Sequence, residues 1–276
     1  MNTIQTQGIS FPSLGLGTFR MEGEDCRIAV ESALELGYRH IDTAAMYNNE
    51  EAVGAAIAAS NVARKDLHVT TKVWHTNLAP DAIIRSFDTS LDKLKLEYVD
   101  LFMVHWPSKE MDLAAVFETL AKLKEQGRIR AMGVCNFTVE LLRTAIEDIG
   151  APIACNQIEY HVLLDQTPVR SYLASKGIPI VAYCPLAQGK LADNEALAAI
   201  AARHGATPAQ VALKWLLDQE GVAAIPKAQR PQSQQANLDA LKLVLDDDDR
   251  RAIAQLQKDK RFVNPPFAPA WDKAAD

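Results

Sequence analysis

The sequence predicts an α/β protein, a (β/α)8 barrel of the TIM type with a short N-terminal β-hairpin capping its bottom. Three observations predict it. Eight short apolar, β-branched runs recur along the 276 residues, most ending roughly 25 to 30 residues apart, the length of a βα unit. Segments of helical periodicity fill the intervals. The glycine-rich turn that follows the first strand of a doubly wound sheet is broken, because Gly15-Leu16-Gly17-Thr18-Phe19-Arg20 places Arg20 where a third glycine belongs.

Taken in order, residues 4–11 read as the hairpin, with Gly8 at its turn. The eight strands read as 14–18, 40–43, 68–73, 99–105, 129–135, 154–159, 179–184 and 222–226. Between the first two, Ile28, Val30, Ala33 and Leu34 mark a helix over 25–36 that stops at Gly37. Ile83, Ile84, Phe87, Leu91 and Leu94 mark one over 80–94. Val116, Phe117, Leu120 and Leu123 mark one over 113–125, ended by Gly127. Thr207-Pro208 reads as an N-cap followed by proline at the first helical position, leading Val211, Trp215 and Leu216 along one face. The tail after Arg261, with Pro265, Pro266, Pro269 and Trp271, reads as a structured loop. No linker interrupts the pattern, so residues 1–276 are expected to form one domain.

Composition narrows the function classes. The hydrophobic fraction is 48%, the charged fraction 23% and the net charge -6, which argues against nucleic acid or an anionic membrane as partner. Asp246-Asp247-Asp248-Asp249 reads as a solvated turn opening a helix at Arg250. No apolar run nears the roughly 20 residues of a membrane span, and no basic segment leads an apolar one at the N-terminus. Four cysteines, three of them inside predicted strands and none in a CxxC pair, fit reduced thiols in a cytoplasmic protein. Neither HxH nor HExxH occurs, so no metal is expected, and His40, His68, His75, His161 and His204 read as structural or surface residues. No exposed apolar stripe argues for assembly, and a monomer is the expectation.

The chemistry shows where polar residues interrupt apolar strands. Asp42, Lys72 and His105 fall at the ends of the second, third and fourth strands, with Tyr47 five residues beyond Asp42. A barrel of this kind gathers its active residues at the C-terminal ends of the strands, so the four can converge. Alone, Lys72 reads equally as a lysine snorkelling from a strand end, and Asp42 as a helix cap in competition with Thr43 and Asn48. Together they supply a phenol, a cation that favours its phenolate, a carboxylate that compensates the buried cation and an imidazole that orients an oxygen. That set protonates an oxygen as a carbonyl becomes an alcohol.

Further along the chain the same strand ends carry longer motifs. They are Gly15-Leu16-Gly17-Thr18, Gly37-Tyr38-Arg39-His40-Ile41-Asp42-Thr43-Ala44 with Tyr47, and Thr71-Lys72-Val73-Trp74. They continue through Asp100-Leu101-Phe102-Met103-Val104-His105-Trp106-Pro107, Gly133-Val134-Cys135-Asn136-Phe137, Asn156-Gln157-Ile158-Glu159 and Ala182-Tyr183-Cys184-Pro185-Leu186. In this order, over essentially the whole chain, they resemble the aldo-keto reductase superfamily. The resemblance implies a barrel reductase that uses NADPH and delivers hydride to the carbonyl carbon of a small aldehyde or ketone. By motif, Asp42, Tyr47, Lys72 and His105 take the catalytic positions, with Tyr47 as proton donor. Asn136 and Gln157 match positions that hold the nicotinamide carboxamide, and Tyr183 the ring that stacks on it. Gly17, Thr18, Asp42, Cys135, Pro185 and Leu186 match neighbouring cofactor positions, Lys227 and Arg230 the cations near the 2′-phosphate, and Asn237 the adenine contact.

Two regions depart from the family pattern. Cys135 stands where serine is frequent, and Ala228 and Ser233 stand where a serine and the phosphate-gripping arginine are frequent. Phe19, Trp74, Trp106 and Trp271, with His105, are expected to line the substrate pocket. The short segment between Pro107 and Asp112 leaves that pocket open. The ending Ala268-Pro269-Ala270-Trp271-Asp272 is similar to bacterial 2,5-diketo-D-gluconate reductases that also reduce methylglyoxal. Two other readings compete. One is a lyase forming a Schiff base through Lys72, disfavoured because Asp42 keeps that lysine protonated. The other is an NADPH-binding sensing subunit with little turnover.

Overall fold

A computed structural model describes residues 2–273. Thr3–Thr6 (β1) and Ile9–Pro12 (β2) form an antiparallel hairpin. Its two-residue turn, Gln7-Gly8, has positive φ at both positions, 45° and 80°, which suits glycine at the second. Eight parallel strands follow, each paired with its sequence neighbour: Leu16–Gly17 (β3), His40–Asp42 (β4), His68–Val73 (β5), Val99–Val104 (β6), Ile129–Cys135 (β7), Ile153–Glu159 (β8), Ile180–Tyr183 (β9) and Val222–Ala224 (β10). Parallel bridges from Leu14 to Ala224 and from Gly17 to Lys227 join the two edges and close the barrel.

The seam explains the one strand that differs clearly from expectation. Only Leu16–Gly17 of the stretch 14–18 pairs regularly, with β4, because its other side is spent on isolated bonds across the seam. Gly15 N donates to Ala224 O at 2.9 Å and Gly17 N to Pro226 O at 3.2 Å. A Cβ on Gly17 would lie 2.5 Å from Ile225 O, so the seam itself requires glycine there.

Gly23–Glu35 (α1), Glu50–Ala59 (α2), Pro80–Leu94 (α3), Leu113–Glu125 (α4), Val139–Arg143 (α5) and Thr167–Ser175 (α6) occupy the crossovers. Glu195–His204 (α7) and Pro208–Leu217 (α8) both lie between β9 and β10, which accounts for the long last interval. Pro231–Asp239 (α9) and Asp247–Ala254 (α10) follow β10. The strands are buried on both faces, against the helices outside and against Leu101, Met103, Ala131, Ala154, Val181 and Ala223 inside.

The hairpin seals the lower end of that interior. Phe11 packs into the interior cluster and against His40 and His68, at 5.5 and 5.0 Å between ring centres, and Thr6 Oγ1 donates to Ala154 O. The acidic run opens α10 with Asp246, Asp247 and Asp248 exposed, as expected, but Asp249 departs from that reading. Asp246 caps α10, while Asp249 is fully buried, completes the capping box and accepts from Arg203 and His204. No helix among the described residues is long and apolar enough to cross a membrane.

Candidate active site

Because the strands are parallel and in register, their C-terminal ends share one rim. Asp42 is the last residue of β4 and Lys72 the penultimate residue of β5, while His105 follows β6 and still donates its N–H to Val73 O. Tyr47 ends a single helical turn, Ala45–Tyr47. Lys72 is fully buried. Its ammonium donates to Asp42 Oδ1 at 2.5 Å and to Thr43 O at 2.9 Å, and lies 5.1 Å from the centre of the Tyr47 ring. Gln157 Nε2 donates to the other carboxylate oxygen of Asp42 at 2.8 Å. The Tyr47 and His105 rings meet edge to face at 5.4 Å. The four predicted catalytic residues are therefore one cluster.

Electrostatics assigns a charge state to Lys72, Tyr47 and His105. Burial pushes the Lys72 ammonium down, but Asp42 and then Tyr47 push harder the other way, and its pKa stands above the ordinary lysine value. Burial pushes the Tyr47 phenol up to about 12 against the pull of Lys72. The sequence suggested that the cation would favour the phenolate. It does, yet desolvation outweighs it, and the phenol keeps its proton near neutrality. Burial, then the Lys72 charge, hold His105 well below its ordinary value, so its imidazole is neutral. Its Nδ1 is buried without a hydrogen-bond partner.

Above this floor stands a wall of rings. Phe19 lies 5.0 Å from Tyr47, and Trp74 lies 5.1 Å from His105. Trp106 and Trp271 meet at 6.0 Å. Phe267, not anticipated from sequence, joins them, lying 5.5 Å from Trp74, 5.5 Å from Trp106 and stacked on His75 at 4.1 Å. The tail that carries Phe267 and Trp271 is anchored by Glu159 at the end of β8, whose carboxylate accepts from Phe262 N, Val263 N and His161.

The residues expected to hold a cofactor lie on the same rim. Asn136, with φ of 62°, donates to His105 O and accepts from the Tyr183 hydroxyl at 2.8 Å. Thr18 is buried, and its N–H and hydroxyl both donate to Asp42 O at 3.0 Å. Pro185 and Leu186 follow β9 in a turn where Cys184 has φ of 52°. Lys227 and Arg230 are exposed between β10 and α9, Arg230 as the residue preceding the helix, and Asn237 is buried on α9. Lys227 Nζ donates to Arg20 O. Ser233 lies in the first turn of α9 and Ala228 is buried. Cys135 packs inside the barrel, and burial holds its thiol well above the ordinary range.

This donor set suits a nicotinamide dinucleotide. Two cations precede a nine-residue helix whose first N–H groups favour a phosphate. The Asn136 carboxamide joins the His105 carbonyl to the Tyr183 hydroxyl, and the Gln157 carboxamide reaches Asp42. Among the described residues no group of three or more histidine, cysteine, aspartate and glutamate side chains is arranged to hold a metal.

Asn49 and Glu50 also belong to this region and gave no sequence signal beyond a helix start. Both are buried, Asn49 bonded to Thr43 and the turn after β3, and Glu50 accepting from Thr71 Oγ1 at 2.6 Å.

Comparison with known proteins agrees with the fold. A profile of the Aldo/keto reductase family matches residues 13–258. The chain is 44% identical over 268 residues to methylglyoxal reductase DkgB of Escherichia coli O157:H7, covering 96% of this chain and 100% of that one. It is 41% identical over 255 residues to a glyoxal reductase of Bacillus subtilis, covering 92% of each. A crystal structure of a protein provisionally named 2,5-diketo-D-gluconic acid reductase B superposes with a TM-score of 0.96 at 38% identity, over 99% of this chain and 98% of that one.

Proposed function

The chain belongs to the aldo/keto reductase family and is an oxidoreductase of carbonyl compounds, and we propose that it uses NADPH to reduce small dicarbonyls and keto-sugar acids, of the methylglyoxal and 2,5-diketo-D-gluconate kind, to alcohols. The observation that carries this reading is the cluster of a protonated phenol, a buried ammonium–carboxylate pair and a neutral imidazole beneath an aromatic wall.

In this reading His105 donates a hydrogen bond to the substrate oxygen and orients it. Tyr47 then gives its proton to that oxygen as negative charge develops there. Lys72 stabilises the phenolate left behind, and Asp42, itself held by Gln157, keeps Lys72 charged and in place. The cofactor, when bound, supplies the hydride. Lys227 and Arg230 hold its 2′-phosphate, Asn237 its adenine, and Asn136, Gln157 and Tyr183 its nicotinamide. Phe19, Trp74, Trp106, Phe267 and Trp271 shield the reacting centre from water.

The Lys72 Schiff-base reading fares worse, since a nucleophilic lysine must be neutral and Asp42 opposes that. The test is NADPH oxidation followed by absorbance with methylglyoxal, then 2,5-diketo-D-gluconate, beside a parallel NADH trace. Turnover with NADPH is expected. Tight NADPH binding without turnover on either substrate, or on a broader aldehyde panel, would move the sensing-subunit reading ahead.

A further inference from the structure

Asp42 and Lys72 sit on strands and His105 directly follows one, but Tyr47 sits on a loop. A proton donor must be held within a fraction of an ångström of its working position, so something must fix that loop. Asn49, two residues beyond Tyr47, is 2% exposed. It occupies the residue preceding α2, where an asparagine side chain ordinarily bonds the helix's own N–H groups. Here it makes no such bond. Its Oδ1 accepts from Thr43 Oγ1 at 2.7 Å, and its Nδ2 donates to Thr18 O and to Met21 O, each at 2.9 Å.

Each partner leads into the site. Thr43 follows Asp42, and its carbonyl takes a hydrogen bond from Lys72. Thr18 clasps Asp42 O through its N–H and its hydroxyl. Thr18 and Met21 bracket the turn that carries Phe19, whose ring faces Tyr47. One buried carboxamide thus joins the loop of the phenol, the strand end bearing Asp42 and the turn bearing Phe19. A helix cap diverted from its own helix gives up the terminal N–H group it would have bonded, a cost that local structure does not require.

We propose that Asn49 is a positioning residue for the reaction, holding Tyr47 over Lys72 and Phe19 over Tyr47 through these three bonds. This rests on the reductase reading given above. The test uses the full chain with Asn49→Ala and, separately, Thr43→Val, which removes one hydroxyl from a buried site and leaves the Thr43 carbonyl that Lys72 uses. For each, kcat and KM are measured at 25 °C with NADPH and with NADPH deuterated at the transferred position, and NADPH affinity by fluorescence titration.

For Asn49→Ala, kcat falls roughly 10- to 100-fold, as expected for a misplaced donor. The primary isotope effect on kcat rises because the chemical step becomes limiting, and NADPH affinity changes less than about twofold. Thr43→Val moves kcat and the isotope effect in the same directions by less, and carries the test alone should Asn49→Ala not fold. A kcat within about twofold of the parent, or a lower kcat with an unchanged isotope effect, overturns the proposal, since a merely structural role lowers only the active fraction. Failure of the reductase reading shows separately, as a parent protein that does not oxidise NADPH with any carbonyl compound.

Discussion

Replacing Asp42 by asparagine strips the compensating charge from a lysine that is 0% exposed. Lys72 would keep its bond to Thr43 O, but burial, the force that pushes its pKa down, would no longer be opposed by a carboxylate. The cheapest escape is to lose the proton. Doing so at pH 7 from an unfolded-state pKa of about 10.4 costs about 4.6 kcal/mol, within the roughly 3–5 kcal/mol typical of a broken buried pair. At about 2–4 °C per kcal/mol, the melting temperature falls by roughly 9 to 18 °C.

The sign with pH is distinctive. In the variant the unfolded chain binds one more proton at this lysine than the folded one, so stability rises with pH by up to about 1.4 kcal/mol per unit between pH 7 and 10. The parent's lysine has a raised folded pKa and contributes no such slope in that range. Urea unfolding of both proteins at pH 7, 8 and 9 measures the gap, which should narrow steadily. A gap that stays constant with pH, or is below about 1 kcal/mol at pH 7, would refute the argument that Asp42 serves to keep a buried lysine charged.

Three further outcomes follow from the same geometry. Tyr47→Phe removes only the phenol proton, so turnover should fall by about 100- to 10,000-fold while fluorescence titration shows NADPH still bound; near-normal turnover would contradict its role. Arg230→Ala should raise the Kd of NADPH several-fold more than that of NADH, because the cation at the start of α9 meets only a 2′-phosphate; equal effects on both would place that contact elsewhere. Burial holds His40, His68 and His105 below their ordinary pKa. Below about pH 6.5 the unfolded chain therefore takes up protons that the folded one refuses, and stability, full above that pH, should fall by up to about 1.4 kcal/mol per unit per histidine. A urea midpoint unchanged from pH 6.5 to 5.5 would show that these rings are not held neutral.

Much of the fold was legible because a parallel sheet covered on both faces reads as continuous apolar runs. Strands β5 to β8 stand within a residue or two of their expected limits. Strand β3 was the exception. Residues 14–18 are apolar enough for a full strand, but closing the seam divides their bonds between β4 and the segment around Ala224 and Pro226, a long-range fact without local signature. Asp249 misled for a related reason. Four adjacent aspartates look solvated, and only the partners Arg203 and His204, some 45 residues away in sequence, show that one is buried. Phe267, among prolines in the tail, was hidden because nothing local marks an aromatic as part of a wall. Asn49 was passed over because an asparagine just before a helix is ordinary for that position.

The signal that located Asp42, Lys72 and His105, a polar residue closing an apolar strand, does not by itself separate chemistry from architecture. Glu159 meets it equally well, closing β8 fully buried. The difference lies in how each group spends its hydrogen bonds. Glu159 accepts with both oxygens, from the tail and from His161. His105 retains a buried, unpartnered Nδ1, and Tyr47 is partly buried beside it with its proton in place. Burying a polar atom without a partner costs about 1–3 kcal/mol. Unspent hydrogen-bonding capacity at the rim, more than polarity in a strand, thus separates the residues proposed to meet substrate from those that hold the loops around it.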